Sequence, residues 1–236
     1  MKWMKRAVKK LTAAAMALCL LLPCSVQAAA TALQTPDWMK QWSNTRTASV
    51  IAQLEKDQFT AELKVDGIDG LVDLVRSNGK MYLKTTQADG SEGIVLLVRD
   101  GSTYQLDHAS KLAIRLGDET AVYSAVGLSE SAVVRSLSGG KATGYTATKK
   151  TIHKKTYDAE VFDMQLDGRA LEMTYCYEGD TLRYLITQSG GKSSAVEYRS
   201  VSDQVDESLL QIPAGYTVCT RGKDGRFYNA SGKAVA

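Results

Sequence analysis

The chain has 236 residues, with 29 Lys+Arg against 26 Asp+Glu and only two histidines. Five of the basic residues (Lys2, Lys5, Arg6, Lys9 and Lys10) cluster at the N-terminus with no acid among them, and without them 24 basic face 26 acidic residues, near −2. A nucleic-acid binder normally keeps a positive footprint, so nucleic acid is not expected as a partner.

Residues 1–28 read as an export signal. The basic start is followed by an apolar core, Leu11 to Leu22, too short to span a bilayer, and by small residues ending in Val26-Gln27-Ala28. Cys24 follows Pro23, a poor context for lipidation, so a soluble exported protein is preferred over a lipoprotein. The expected compartment is the periplasm, the extracellular space or the cell envelope. The roughly 200 residues that remain suit one domain, and no later stretch is long and apolar enough for a spanning helix.

Residues 29–45 read as a linker with a short helix. Pro36 opens it, and Trp38 and Trp42 are spaced to share one face. The two tryptophans are candidates for a lid over a cavity, with a plain core-capping role as the alternative. From Val50 onward the pattern is that of strands. Val50, Ala52 and Leu54 alternate with polar neighbours, and Phe59, Ala61, Leu63 and Val65 alternate with Thr60, Glu62 and Lys64.

Asp66-Gly67, Asp69-Gly70, Asn78-Gly79, Asp89-Gly90, Asp100-Gly101 and Asp167-Gly168 punctuate the runs. Such pairs readily adopt the positive φ of tight hairpin turns. Leu71 to Arg76 and Lys80 to Thr86 flank one of them as a hairpin. Ile94 to Val98 is continuously apolar, as for a strand covered on both faces. Tyr104 and Leu106, then Leu112, Ile114 and Leu116, continue the alternation.

The rhythm breaks at Leu128 to Leu137, which reads as a helix capped by Ser129 and ended by Gly139-Gly140. It resumes with Tyr145 to Ile152, Thr156 to Leu166, Leu171 to Tyr177, Leu182 to Ile186 and Ala195 to Val201. Leu209 to Tyr216 closes the ordered part, and residues 221–236 read as a flexible tail.

The fold class expected is mostly β: an antiparallel, curved, unclosed sheet with one or two short helices over its open side. The strand cadence, the mid-chain helix and the closing Asp206-Glu207-Ser208-Leu209-Leu210-Gln211-Ile212-Pro213-Ala214-Gly215-Tyr216 resemble the LolA/LolB-like superfamily of envelope proteins. Gly93 to Leu116 is similar as well. The resemblance covers residues 46–220 and implies an unclosed β-barrel, plugged by helices, whose interior receives acyl chains in the carrier members. No ligand-contacting residue of those carriers is matched individually.

Chemical motifs are scarce. His108 and His153 are the histidines, and Asp107 beside His108 points to the opposite side of a strand, badly placed to orient the imidazole. No nucleophile elbow, zincin motif or metal-ligand grouping is present, so neither catalysis, nor a cofactor, nor a metal is expected. Cys176 and Cys219 remain after loss of the leader; in an oxidising compartment they form either one disulfide or two separate thiols, and spacing does not decide. The run Lys149-Lys150-Thr151-Ile152-His153-Lys154-Lys155 reads first as a solvated edge strand or hairpin tip, and second as a peripheral contact with anionic headgroups or an acidic partner.

The function expected is therefore a non-catalytic carrier that holds a lipid, a lipidated protein's acyl chain or another apolar ligand in a β-trough. Phe59, Leu63, Met81, Leu83, Leu97, Tyr104, Leu106, Met173 and Tyr175 are the candidate lining. The alternative is an envelope scaffold or stress sensor that engages a protein partner and has a filled core.

Overall fold

The computed structural model describes residues 41–54, 56–118, 121, 141–166 and 169–235. Among the described residues one helix, α1 (Arg46–Leu54), precedes two antiparallel meanders. The first runs through β1 (Gln58–Val65), β2 (Leu71–Ser77), β3 (Lys80–Thr86), β4 (Glu92–Arg99), β5 (Ser102–Asp107) and β6 (Leu112–Asp118). The second runs through β7 (Lys141–Ile152), β8 (Lys155–Leu166), β9 (Arg169–Glu178), β10 (Thr181–Ser189) and β11 (Lys192–Ser202). A 3₁₀ turn (Glu207–Leu210), β12 (Thr217–Arg221) and β13 (Phe227–Asn229) finish the chain.

The thirteen strands of the described residues form one sheet in the order β13-β12-β6-β5-β4-β3-β2-β1-β11-β10-β9-β8-β7. The meanders join where β1 pairs with β11, Ala61 opposite Val201 and Val65 opposite Val196. The ends, β13 and β7, do not pair with each other, so the sheet is unclosed. Register shifts at Glu62/Leu63, Lys84/Thr86, Thr103/Tyr104, Ala142/Gly144 and Leu182/Tyr184 mark bulges. An extra residue on one strand bends it and adds to its twist, and bulges spread through both meanders curve the sheet.

The turn chemistry follows the sequence. Asn78 and Gly79 have φ of 51° and 73°, and Asp100 and Gly101 have 50° and 68°. The β7–β8 turn is made instead by His153 and Lys154, at 47° and 67°. β7 is an edge strand, as its lysines suggest. Lys149 bonds Asp158 at 3.0 Å and Lys155 bonds Glu178 at 2.5 Å.

Two sequence expectations need correction, and between the two alternatives left open for the cysteines the structure shows separate thiols. Val50, Ala52 and Leu54 belong to a helix, because Thr45 caps it: its Oγ1 accepts from the Ala48 N–H at 3.1 Å. With the helix formed, Ala48, Val50, Ile51 and Leu54 turn to the sheet. Residues 221–236 are not simply a loose tail. β13 pairs with β12, Cys219 opposite Asn229, and Phe227 and Val235 pack on Leu112, Ile114 and Cys219. Cys176 and Cys219 are both free thiols. Each is buried in its own cluster, one on β9 and one on β12, with eight strands between them in the sheet order.

The helix expected at Leu128 to Leu137, the expected export signal, Trp38 and the Asp167-Gly168 pair lie outside the described residues. Among the described residues no helix is long and apolar enough to cross a membrane.

A candidate ligand face and its strap

Alternation along the strands sorts the apolar residues onto two faces. The inner face carries the largest cluster. Phe59, Leu63, Leu74, Met81, Leu83, Leu96, Phe162, Met173, Tyr175, Leu185 and Tyr198 belong to it, drawn from eight neighbouring strands, β4 to β8 in the sheet order. At about 4.8 Å between strands, eight strands extend about 34 Å. Each fully buried Leu or Phe contributes roughly 1.5–3 kcal/mol. The one described helix on this face, nine residues and about 14 Å long, covers a fraction of that width.

The outer face is closed differently. Val75, Tyr82, Val95, Leu97, Leu106 and Ala113 form a second cluster beneath Leu209, Leu210 and Ile212, with Tyr104 and Tyr216 at its margin. The closing segment is thus a strap that plugs the outer face and then leads into β12, parallel to β6. Tyr216 is pinned by a short contact from its hydroxyl to Nδ1 of His108, whose other ring nitrogen lies 3.8 Å from Glu92.

The nine candidate lining residues therefore divide. Phe59, Leu63, Met81, Leu83, Met173 and Tyr175 share the inner face. Leu97, Tyr104 and Leu106 face the outer strap and cannot line the same trough. The parity of β4 and β5 decides this: Leu96 and Val98 point inward, so Leu97 points out, and Tyr104 pairs with Leu97. Val95 to Val98 are buried on both sides for the same reason, whereas Ile94, expected to share that cover, is 41% exposed.

Trp42 lies over the inner face, edge-on to Phe162 at 5.8 Å between centroids and 6.4 Å from Tyr145. It sits in the turn before α1, and α1 itself bridges the two walls of the sheet. At its start, Glu160 of β8 is 4% exposed and accepts from the Arg46 N–H at 3.1 Å, the Thr47 N–H at 2.8 Å and the Thr47 hydroxyl at 2.6 Å. A carboxylate there satisfies helix N–H groups that have no partner within the helix and meets the positive end of the helix dipole. Thr47 Oγ1 is also 2.8 Å from the Tyr177 hydroxyl, and the Arg46 guanidinium lies 4.8 Å above the Tyr177 ring. Arg46 further bonds Asp158 and the Gly179 carbonyl. Past the helix, Asp57 accepts from the Gly79 N–H at 2.5 Å and pairs with the buried Arg76 of β2.

No sequence signal marked Glu160, Thr47, Arg76 or Asp57. Each is an ordinary polar residue until the fold brings β8, β9 and β2 to the two ends of one helix. Burial pushes the Tyr177 and Tyr175 phenols above their ordinary range, so both remain neutral hydroxyls.

No family model and no curated protein matches the chain. Solved structures with partial likeness include an uncharacterised conserved protein of Thermus thermophilus, at 9% identity and a TM-score of 0.42, covering 75% of this chain and 100% of that one. The Mycobacterium tuberculosis lipoprotein LppX aligns at 16% identity with a TM-score of 0.40, over 68% of this chain and 94% of its own. PNGF-II aligns at 14% identity with a TM-score of 0.30, over 70% of this chain and 31% of that one.

Proposed function

We propose that this chain is an exported, non-catalytic cell-envelope protein. In this reading it holds a lipid, the acyl chain of a lipidated protein or another apolar ligand against the inner face of its open sheet. The observation that carries the reading is the pairing of a broad apolar face with an inner strap, α1, which packs on it through Ala48, Val50, Ile51 and Leu54 and is moored by polar contacts at its two ends. Such a strap can lift without tearing the sheet, since apart from the Arg46 and Thr47 N–H groups held by the Glu160 side chain it takes no part in the strand ladders. Each methylene a ligand buries beneath it contributes about 0.8 kcal/mol.

The resemblance of residues 46–220 to the LolA/LolB-like superfamily supports the same reading, and membership of that superfamily is part of the proposal. Release to a membrane or to a lipidated partner requires only peripheral contact.

A second reading, a scaffold or stress sensor that binds a protein partner, is favoured by one observation. Phe59, Leu63 and Leu83 are already almost wholly buried, as in a filled core. Organic extraction of the purified mature protein followed by mass spectrometry separates the two. The carrier reading expects co-purified lipid and a Trp42 emission change on titration with a fluorescent fatty acid. Clean extracts with unresponsive emission favour the scaffold.

A further inference from the structure

Two hydroxyls on the inner face have no hydrogen-bond partner: Tyr175 Oη and Ser194 Oγ. Their residues are 3% and 4% exposed. Tyr175 stands edge-on to Phe162 at 5.8 Å, within the apolar cluster. Ser194 lies opposite Thr187, which lies opposite Met173, in the cross-strand row next to that of Tyr175, Leu185 and Val196. A buried hydroxyl that surrenders water and gains no partner is unfavourable, and phenylalanine or alanine would fill these places without that loss. Tyr177, one row away on the same strand, shows the satisfied alternative, its hydroxyl held by Thr47.

Resting on the carrier reading above, we propose that Tyr175, seconded by Ser194, is the polar anchor of the trough. It donates a hydrogen bond to the ester or amide carbonyl of an otherwise apolar ligand. The ligand class is thus an acyl ester or amide, rather than a pure hydrocarbon or a free carboxylate. A carbonyl fits because a phenol and an alcohol both donate. A carboxylate does not, because the buried charged groups of this face are engaged: Arg76 with Asp57, and Glu160 with the start of α1. An ion set beside Tyr175 would lack a counter-charge. Burial keeps the Tyr175 phenol protonated far beyond neutral pH, so the donor persists across the physiological range.

The test uses the mature chain, residues 29–236, with Tyr175→Phe and Ser194→Ala. Methyl palmitate, hexadecane and palmitate are delivered from cyclodextrin, and binding is followed by Trp42 emission in a Trp38→Phe background. The expected result is that methyl palmitate binds wild type more tightly than the other two. Tyr175→Phe weakens methyl palmitate about 10-fold, leaves hexadecane unchanged and leaves the unfolding midpoint of the ligand-free protein equal or higher. Ser194→Ala gives a smaller loss of the same selectivity. If Tyr175→Phe weakens hexadecane and ester alike, spares the ester or destabilises the ligand-free protein, the anchor is overturned while the carrier reading stands. If no probe binds wild type, both fall.

Discussion

Replacing Glu160 by alanine tests what holds α1 in place. The carboxylate accepts from two backbone N–H groups and the Thr47 hydroxyl, and it is buried. Hydrogen bonds to a charged acceptor contribute roughly 1.5–3 kcal/mol each, and a carboxylate at a helix start about 0.3–1 kcal/mol through the dipole. The three bonds are not additive, because they share one anchor and a released strap recovers water for all three groups. The loss is therefore capped at the free energy of docking the strap. About 3 kcal/mol is the working figure, the lower end of what breaking one side of a buried charged contact costs. The half-exposed pairs of Arg46 with Asp158 add little to this, being screened by solvent.

The assay is urea unfolding together with Trp42 emission in a Trp38→Phe background of residues 29–236. Glu160→Ala is expected to red-shift Trp42 in the folded baseline, because the turn that carries it loses its mooring beside Phe162. Hydrogen exchange of the 46–54 amides should accelerate, with the strands of the second meander unaffected. Glu160→Gln, which keeps one carbonyl acceptor, should fall between. A Glu160→Ala protein with native Trp42 emission, unchanged exchange in α1 and a stability loss below about 0.5 kcal/mol refutes the mooring, since three lost bonds cannot leave no trace.

Four further outcomes follow from particular contacts. Leu210→Ala, in the wholly buried side chain that plugs the outer face, should cost about 2–5 kcal/mol in chemical unfolding, whereas truncating half-exposed Val205 in the same strap should cost far less. Gly70→Ala should be severely destabilising, by more than about 2 kcal/mol in the same measurement, because φ is +119° and a Cβ would sit 1.8 Å from the Thr86 carbonyl oxygen. In a native chain of residues 29–236 a thiol reagent should find neither Cys176 nor Cys219, and in denaturant both, since both are buried and desolvation pushes the Cys176 thiol up to about 11. The bond from Lys149 holds Asp158 below the usual carboxylate range, and the bond from Lys155 does the same for Glu178. A depressed folded pKa means the stabilisation is present above the unfolded value and disappears as pH falls through the folded one. The urea midpoint should therefore drop below about pH 4, and an Asp158→Asn, Glu178→Gln protein should show a shallower drop.

The sheet was readable from local chemistry because hairpins are local. Period-two alternation assigns a residue to a face relative to its strand neighbours, and Asn78-Gly79 or Asp100-Gly101 sets a turn by its own backbone preference. The elements from Phe59 to Leu116 and from Tyr145 to Val201 were visible for that reason. The same alternation does not say which of two apolar sets on a doubly covered strand faces which partner, so Leu97, Tyr104 and Leu106 could be recognised as buried yet not as belonging to the outer face. Val50, Ala52 and Leu54 satisfy a strand pattern and a helical one together, and the Thr45 cap and the docking site on β8 and β9 select the helix.

By itself, then, the amino-acid order determined a mostly-β chain of hairpins, the burial of Val95 to Val98 on both sides and the lysine-rich β7–β8 tip, since each depends on neighbours a few residues apart. Only the tertiary structure decided that β1 meets β11 across some 135 residues of chain, that Glu160 receives a helix from 113 residues away, and that two hydroxyls end among apolar side chains without a partner. Long-range pairing closes large loops, and its free energy resides in contacts that do not exist until the whole sheet has formed.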